Sequence, residues 1–196
     1  MIREVCDNVP MQAIDLLLTR RSARALTEPA PDAAALDLIF ACAARAPDHG
    51  RLRPWRFVVV RDAARTRFGQ LLADHLARTH AQVSAETLQR ERSKAFRAPL
   101  IVVVGAQLNP GTPKVPVVEQ LLAAGAAAEA MMLAAVALGF NAMWKTGPAA
   151  YDETVKQALG FAATDAIVGF LYLGTQSGVL GPQPPSSWSD LVREFT

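Results

Sequence analysis

The sequence is short of cysteine, of aromatic rings and of surplus charge. Its two cysteines, Cys6 and Cys42, cannot build a disulfide framework, which excludes the small secreted scaffolds and fits a reduced, cytoplasmic protein. Aromatic residues make up 7% of the 196, too few for an aromatic-rich sandwich core. The 20 Lys and Arg against 18 Asp and Glu leave a net charge of +2, so bulk charge points neither to nucleic acid nor to a membrane surface. Arg3, Glu4 and Asp7 interrupt any apolar run at the start, and residues 1–10 read as a flexible extension rather than a secretory signal.

Several chemistries are also missing as motifs. Neither the dinucleotide fingerprint G-x-G-x-x-G nor the phosphate loop G-x-x-x-x-G-K-[ST] occurs, and no G-x-S-x-G marks a hydrolase nucleophile. The three histidines, His49, His75 and His80, share no metal-ligand spacing with the cysteines, so no metal site is expected. His75 and His80 fall in a polar helical stretch and read as surface positions, whereas His49 sits in a loop among arginines.

What is present is apolar and small. Hydrophobic residues make up 51% of the chain, drawn mainly from Ala, Leu and Val. A chain of this length buries roughly 70% of the surface it exposes unfolded, enough for one core. No repeat or linker divides residues 11–196, which read as a single domain ending in an extended, proline-containing arm.

Periodicity predicts a helix between Met11 and Arg20, and a second one capped by Asp32, with Leu36, Ile39, Phe40 and Ala43 on its apolar face, stopping before Pro47. Trp55 to Val60 reads as a strand anchored in the core by Trp55. Residues 62–78 and 84–96 read as a solvated helix pair. Leu100 to Val104 is an unbroken apolar run, the mark of a central strand buried on both faces. Val117 to Leu138 is long enough to span a bilayer. Its alanine-rich composition, the single charge, Glu129, between Leu121 and Leu138, and the want of any similar segment instead make it a buried core helix. A short strand at 140–144, a helix at 152–159 and another central strand at 167–173 complete the pattern.

Three stretches carry the chemistry: TRRSAR at Thr19 to Arg24, RAPDHGRLRPWRF at Arg45 to Phe57, and FNAMWKTGP at Phe140 to Pro148. With no phosphate loop, a bound phosphate must be met by side chains, and arginine's planar fork makes the strongest such contacts. Arg20, Arg21 and Ser22 supply that set, though the same residues suit a solvated basic helix C-terminus. Arg45 equally reads as a capping cation, His49 as a loop histidine bonded to backbone, and Lys145 as a surface lysine.

Together the three stretches, with FRAPLIVVV and IVGFLYLGT, resemble the nitroreductase family of FMN-dependent oxidoreductases, most closely its small bacterial YdjA-type members. The resemblance implies an α+β fold with a central mixed, mainly antiparallel sheet flanked by helices, in an intertwined homodimer. It implies FMN as cofactor, with Arg20, Arg21 and Ser22 on its phosphate and ribityl chain, and Trp144, Lys145 and Thr146 around its ring. Arg45 and His49 would reach the FMN held mainly by the other subunit. NADPH or NADH would then reduce the flavin, and a nitroaromatic or quinone-like acceptor would reoxidise it, with position and electrostatics supplied by the protein and no side chain named as catalytic. The resemblance also assigns Ala134 to Gly139 to NAD(P)H, although these residues themselves read as buried helix.

One segment departs from the commoner family pattern A-P-S-x-x-N-x-Q-P-W: Asp48, Arg51 and Arg53 stand in place of Ser, Asn and Gln. Two other readings remain open: a flavin enzyme of the same fold acting on an enoate or a dehalogenation substrate, and a flavin-binding protein without turnover. No nucleic-acid, membrane or metal partner is expected.

Overall fold

The computed structural model describes residues 12–181 and 187–195. The expected extension at residues 1–10 lies outside the described residues, as does the proline-rich part of the arm.

The helices are α1 (Ala13–Thr19), α2 (Ala33–Ala43), α3 (Ala63–Thr79), α4 (Ala85–Ser93), α5 (Val117–Ala137) and α6 (Glu153–Ala158). The strands are β1 (Leu26–Thr27), β2 (Trp55–Arg61), β3 (Leu100–Ala106), β4 (Asn141–Lys145) and β5 (Ala166–Gln176). They form one sheet in the order β1-β5-β3-β2, with β4 also paired to β5. Every described pairing is antiparallel. The α+β arrangement implied by the resemblance is therefore present.

The sheet divides the core in two because successive side chains on a strand point to opposite faces. Leu100, Val102 and Val104 of β3 join Leu171 and Leu173 of β5 on a first face, covered by α2 and α5. Ile101 and Val103 join Phe170 and Tyr172 on a second face, together with Phe68 and Leu72 of α3. Each such side chain, fully buried, contributes about 1.5–3 kcal/mol. The alternation slips once. The register shifts between Val104 and Gly105, which pair with Gly169 and Ile167, so Ile167 and Phe170 reach the same face.

Local chemistry sets the covering helices. Asp32 caps α2, its carboxylate accepting from Ala35 N at 2.8 Å, and Leu36, Ile39 and Ala43 form the buried stripe. In α5 the buried positions are mostly alanine, which lets the helix lie close on the sheet. This helix is long and apolar enough to cross a membrane by length and composition, but its buried face packs on α2 and the sheet, as a core helix does. Of the expected solvated pair, α4 buries nothing, whereas α3 buries Phe68, Gly69, Leu72, Ala73 and His75.

Candidate functional site

A cavity of about 360 Å³ opens on the second face of the sheet. Leu72, His75 and Leu76 of α3 form one wall, and Glu91, Lys94 and Arg97, at and just beyond the end of α4, form another. Phe170 and Tyr172 of β5 lie at its base. The segment leaving β4 closes it with Lys145, Thr146, Gly147 and Pro148. A volume of this order suits a small organic ligand, since such pockets run from about 300 to 1,000 Å³.

The backbone at Gly147 is shaped for close approach. Its φ of +132° is a conformation that side chains with a Cβ rarely adopt, and nothing lies within 4 Å of where a Cβ would stand. Three cations, Lys94, Arg97 and Lys145, and one carboxylate, Glu91, line the cavity. Lys94 Nζ lies 2.6 Å from the Glu91 carboxylate, while Lys145 and Arg97 are exposed. Among the described residues neither of these two makes a side-chain hydrogen bond or ion pair. Burial pushes the Tyr172 phenol up to about 12, against the opposing pull of Arg97.

The sequence-predicted residues divide between this cavity and other places. Lys145 and Thr146 line it. Trp144 points to the opposite face, as strand alternation requires, and its indole Nε1 donates to Val168 O at 3.3 Å. The arginine stretch runs beside β4: Ala23 N donates to Ala142 O at 3.1 Å, and Ala23 is buried with Met143, Phe170 and Tyr172. Ser22 is exposed. Arg20 Nε lies 3.4 Å from Glu129 of α5. Arg21 donates to the carbonyls of Gly181 and, at 3.2 Å, Leu180.

Arg45 and His49 follow α2, on the side of the first face, and line no part of this cavity. Among the described residues the Arg45 guanidinium has no partner, and His49 Nδ1 lies 2.5 Å from Glu119 Oε2. The loop that carries His49 is held by Asp48, whose Oδ2 accepts from Arg53 N at 2.7 Å. It turns through three left-handed residues, Gly50, Arg51 and Arg53, with φ of +72°, +55° and +48°. Asparagine tolerates that region better than arginine does, which gives a backbone reason for Asn in the commoner pattern where this chain has Arg51.

One reading of a single residue is corrected. His75 is not a surface histidine: it is 8% exposed, because it continues the stripe of Phe68 and Leu72 along α3. Its Nδ1 lies 3.3 Å from Asp152 Oδ2, close enough for an ion pair but off the line of a hydrogen bond. Cys42, on α2, is free and exposed.

Sequence reasoning missed Lys94, Arg97, Tyr172 and the His75–Asp152 pair. The spacing of Phe68, Leu72 and His75 at intervals of four and three was the available signal for His75. Lys94 and Arg97 carried none, since they meet Lys145 only through the fold.

A model of the nitroreductase family matches residues 17–175. The Escherichia coli (strain K12) protein named "Putative NAD(P)H nitroreductase YdjA" is 42% identical over 165 residues, 84% of this chain and 88% of its own. Among solved structures, a nitroreductase-like family protein from Bacillus cereus superposes with a TM-score of 0.81 at 20% identity, covering 96% of this chain and 98% of that one. The FMN and NADPH-dependent nitroreductase NfnB from Sphigopyxis sp. strain HMH gives 0.73 at 21% identity, over 95% and 100%. At these identities the two structures speak for the fold.

Proposed function

Because the chain belongs to the nitroreductase family, we propose that it is an FMN-dependent NAD(P)H oxidoreductase that passes a hydride to nitroaromatic or quinone-like acceptors in two alternating half-reactions. The observation that carries this reading is the cavity beneath Lys145, Thr146 and Gly147, whose walls also hold Lys94 and Arg97, with the Arg20–Ser22 stretch leading into Ala23, which is bonded to β4. FMN, when bound, supplies the hydride chemistry, and the protein's task is to hold and polarise it.

The donor set fits a flavin mononucleotide. Arg20, Arg21 and Ser22 offer charge-assisted bonds to a phosphate. The Arg20 contact to Glu129 is at most moderately buried, with 28% and 46% of the two side chains exposed, so exchanging it for phosphate costs little. Lys145, with Lys94 and Arg97 on the facing wall, supplies positive potential where a reduced flavin gathers negative charge. The open space beside Gly147 lets the backbone approach a planar ring. Trp144 anchors the segment from behind by packing on the first face.

Arg45 and His49 act on the FMN of a partner subunit in a homodimer. The exposed apolar residues Ile14 and Leu17 on α1 and Val118 and Leu122 on α5 support a covered surface on that side of the molecule. Residues 11–196 then form one FMN-binding domain, with the tail as its arm. NADPH or NADH serves as reductant. The free thiol of Cys42 is in keeping with a cytoplasmic location. Titrating the protein with FMN, followed by flavin fluorescence, tests the phosphate assignment: the Arg20→Ala, Arg21→Ala double variant should bind at least about tenfold more weakly. Unchanged affinity would refute it.

A further inference from the structure

Among the described residues His75 is buried, lies beside a carboxylate and lines the cavity, and the proposed function gives it no task. Its carboxylate partner is itself fixed. Asp152 accepts from Arg78 Nη1 and Nη2 at 3.1 and 2.7 Å, and from Val155 N at 3.0 Å as the cap of α6. Two elements therefore hold the aspartate, and the aspartate faces Nδ1 of the imidazole. Nε2 makes no hydrogen bond among the described residues, and the side chain belongs to the cavity wall. Nδ1 is within ion-pair reach of Oδ2 without a hydrogen bond to it, and a histidine beside a fixed carboxylate at one nitrogen can exchange a proton through the other once the contact tightens on binding.

We propose that His75, oriented by Asp152, is the general acid that delivers the proton accompanying two-electron reduction of an acceptor in this cavity. The inference rests on the cavity being the flavin and acceptor site. Reduction of a quinone takes up one hydride, which originates in the reduced nicotinamide, and one proton. The Nε2–H bond of the imidazolium breaks with its electron pair staying on nitrogen, as an O–H bond forms on the product. Water then returns a proton to the neutral imidazole.

The charges that face this group oppose one another. Asp152 and Glu91 are the anions on its side, and Arg78 from α3 with Lys94, Arg97 and Lys145 from the other walls are the cations. Tyr172 stays neutral below about pH 12, and the neighbouring His80 is exposed beside Thr79. Asp152 is thus the nearest anion to the imidazole, its Oδ2 lying 3.3 Å from Nδ1, which makes it the positioning residue.

Two acceptors separate proton delivery from everything else. Ferricyanide accepts electrons without a proton, whereas a benzoquinone needs one. Pre-reduced FMN-loaded protein is mixed with each in a stopped-flow instrument, for the wild type, His75→Gln and Asp152→Asn; asparagine keeps the helix cap. The proposal expects His75→Gln to slow the benzoquinone reaction by about a hundredfold with the ferricyanide rate unchanged, and Asp152→Asn to slow it in the same selective way. Equal slowing with both acceptors, or no slowing, overturns it. A second readout needs no turnover: the histidine ¹⁵N spectrum of the holoenzyme at alkaline pH should show His75 protonated on Nδ1 and, in Asp152→Asn, no longer so. An Nε2–H tautomer in the wild type overturns the proposal even if a variant folds poorly. Wild-type protein that takes up FMN but shows neither effect refutes this inference alone, and protein that takes up no FMN refutes the proposed function with it.

Discussion

Arg78 and Asp152 meet across 74 positions of sequence in a two-point contact, Nη2 on Oδ1 at 2.7 Å and Nη1 on Oδ2 at 3.1 Å. The contact ties the C-terminal part of α3 to the start of α6 and holds the wall of the cavity that carries His75.

The Arg78 guanidinium is the largest cause that draws the Asp152 carboxyl down to about 2, with smaller help from Val155 N and His75. A folded value below the ordinary 3.8 means that the folded state binds the proton less readily than the unfolded one. The stabilisation is therefore complete above about pH 4 and is lost as pH falls towards about 2. Urea unfolding of the wild type should weaken over this window, and Asp152→Asn should flatten that part of the profile while retaining the cap.

Gln120 is a buried amide on α5 that staples the preceding loop. Its Nε2 donates to Asn109 O and Val115 O at 2.9 and 3.0 Å, and its Oε1 accepts from Asn109 N at 2.8 Å. Gln120→Leu keeps most of the volume and removes all three bonds, so unfolding measurements should show a loss of about 1–3 kcal/mol.

Gly169 lies under the indole of Trp144, and a Cβ there would overlap the ring. Gly169→Ala should cost about 1–3 kcal/mol and displace Trp144, seen as a change in tryptophan fluorescence. Because Lys145 follows Trp144, FMN affinity should fall with it.

Tyr172, at the base of the cavity, offers a titration of its own. Its folded-state phenol stays protonated up to about pH 12, so difference absorbance should show a late tyrosinate step that Tyr172→Phe removes. Since the folded state holds this proton more tightly than the unfolded chain, the associated stability is lost as pH rises from about 10 to about 12.

The sheet was legible where burial is symmetrical. Leu100 to Val104 reads as a strand buried on both faces, and β3 is buried along its whole length. Trp55 begins β2 and is buried, as its ring suggested. The alanine-rich segment proved to be the core helix α5. His75 was misread because α3 is polar on average, and the average hides a stripe one side chain wide. Trp144, Lys145 and Thr146 are adjacent in sequence, but strand alternation sends Trp144 to the other face from the cavity. Lys94 and Lys145 lie 51 positions apart and share a cavity only because β3, α5 and β4 intervene in that order. The separation of Arg45 and His49 from the cavity has a simple form in one chain: they follow α2, which covers the opposite face.

The central claim is that this chain holds FMN, and the absorption spectrum of the purified protein tests it most directly. The account predicts a yellow protein with flavin bands, whose released cofactor co-migrates with FMN and whose colour bleaches on anaerobic addition of NADPH or NADH. A colourless protein that binds no added FMN would contradict it.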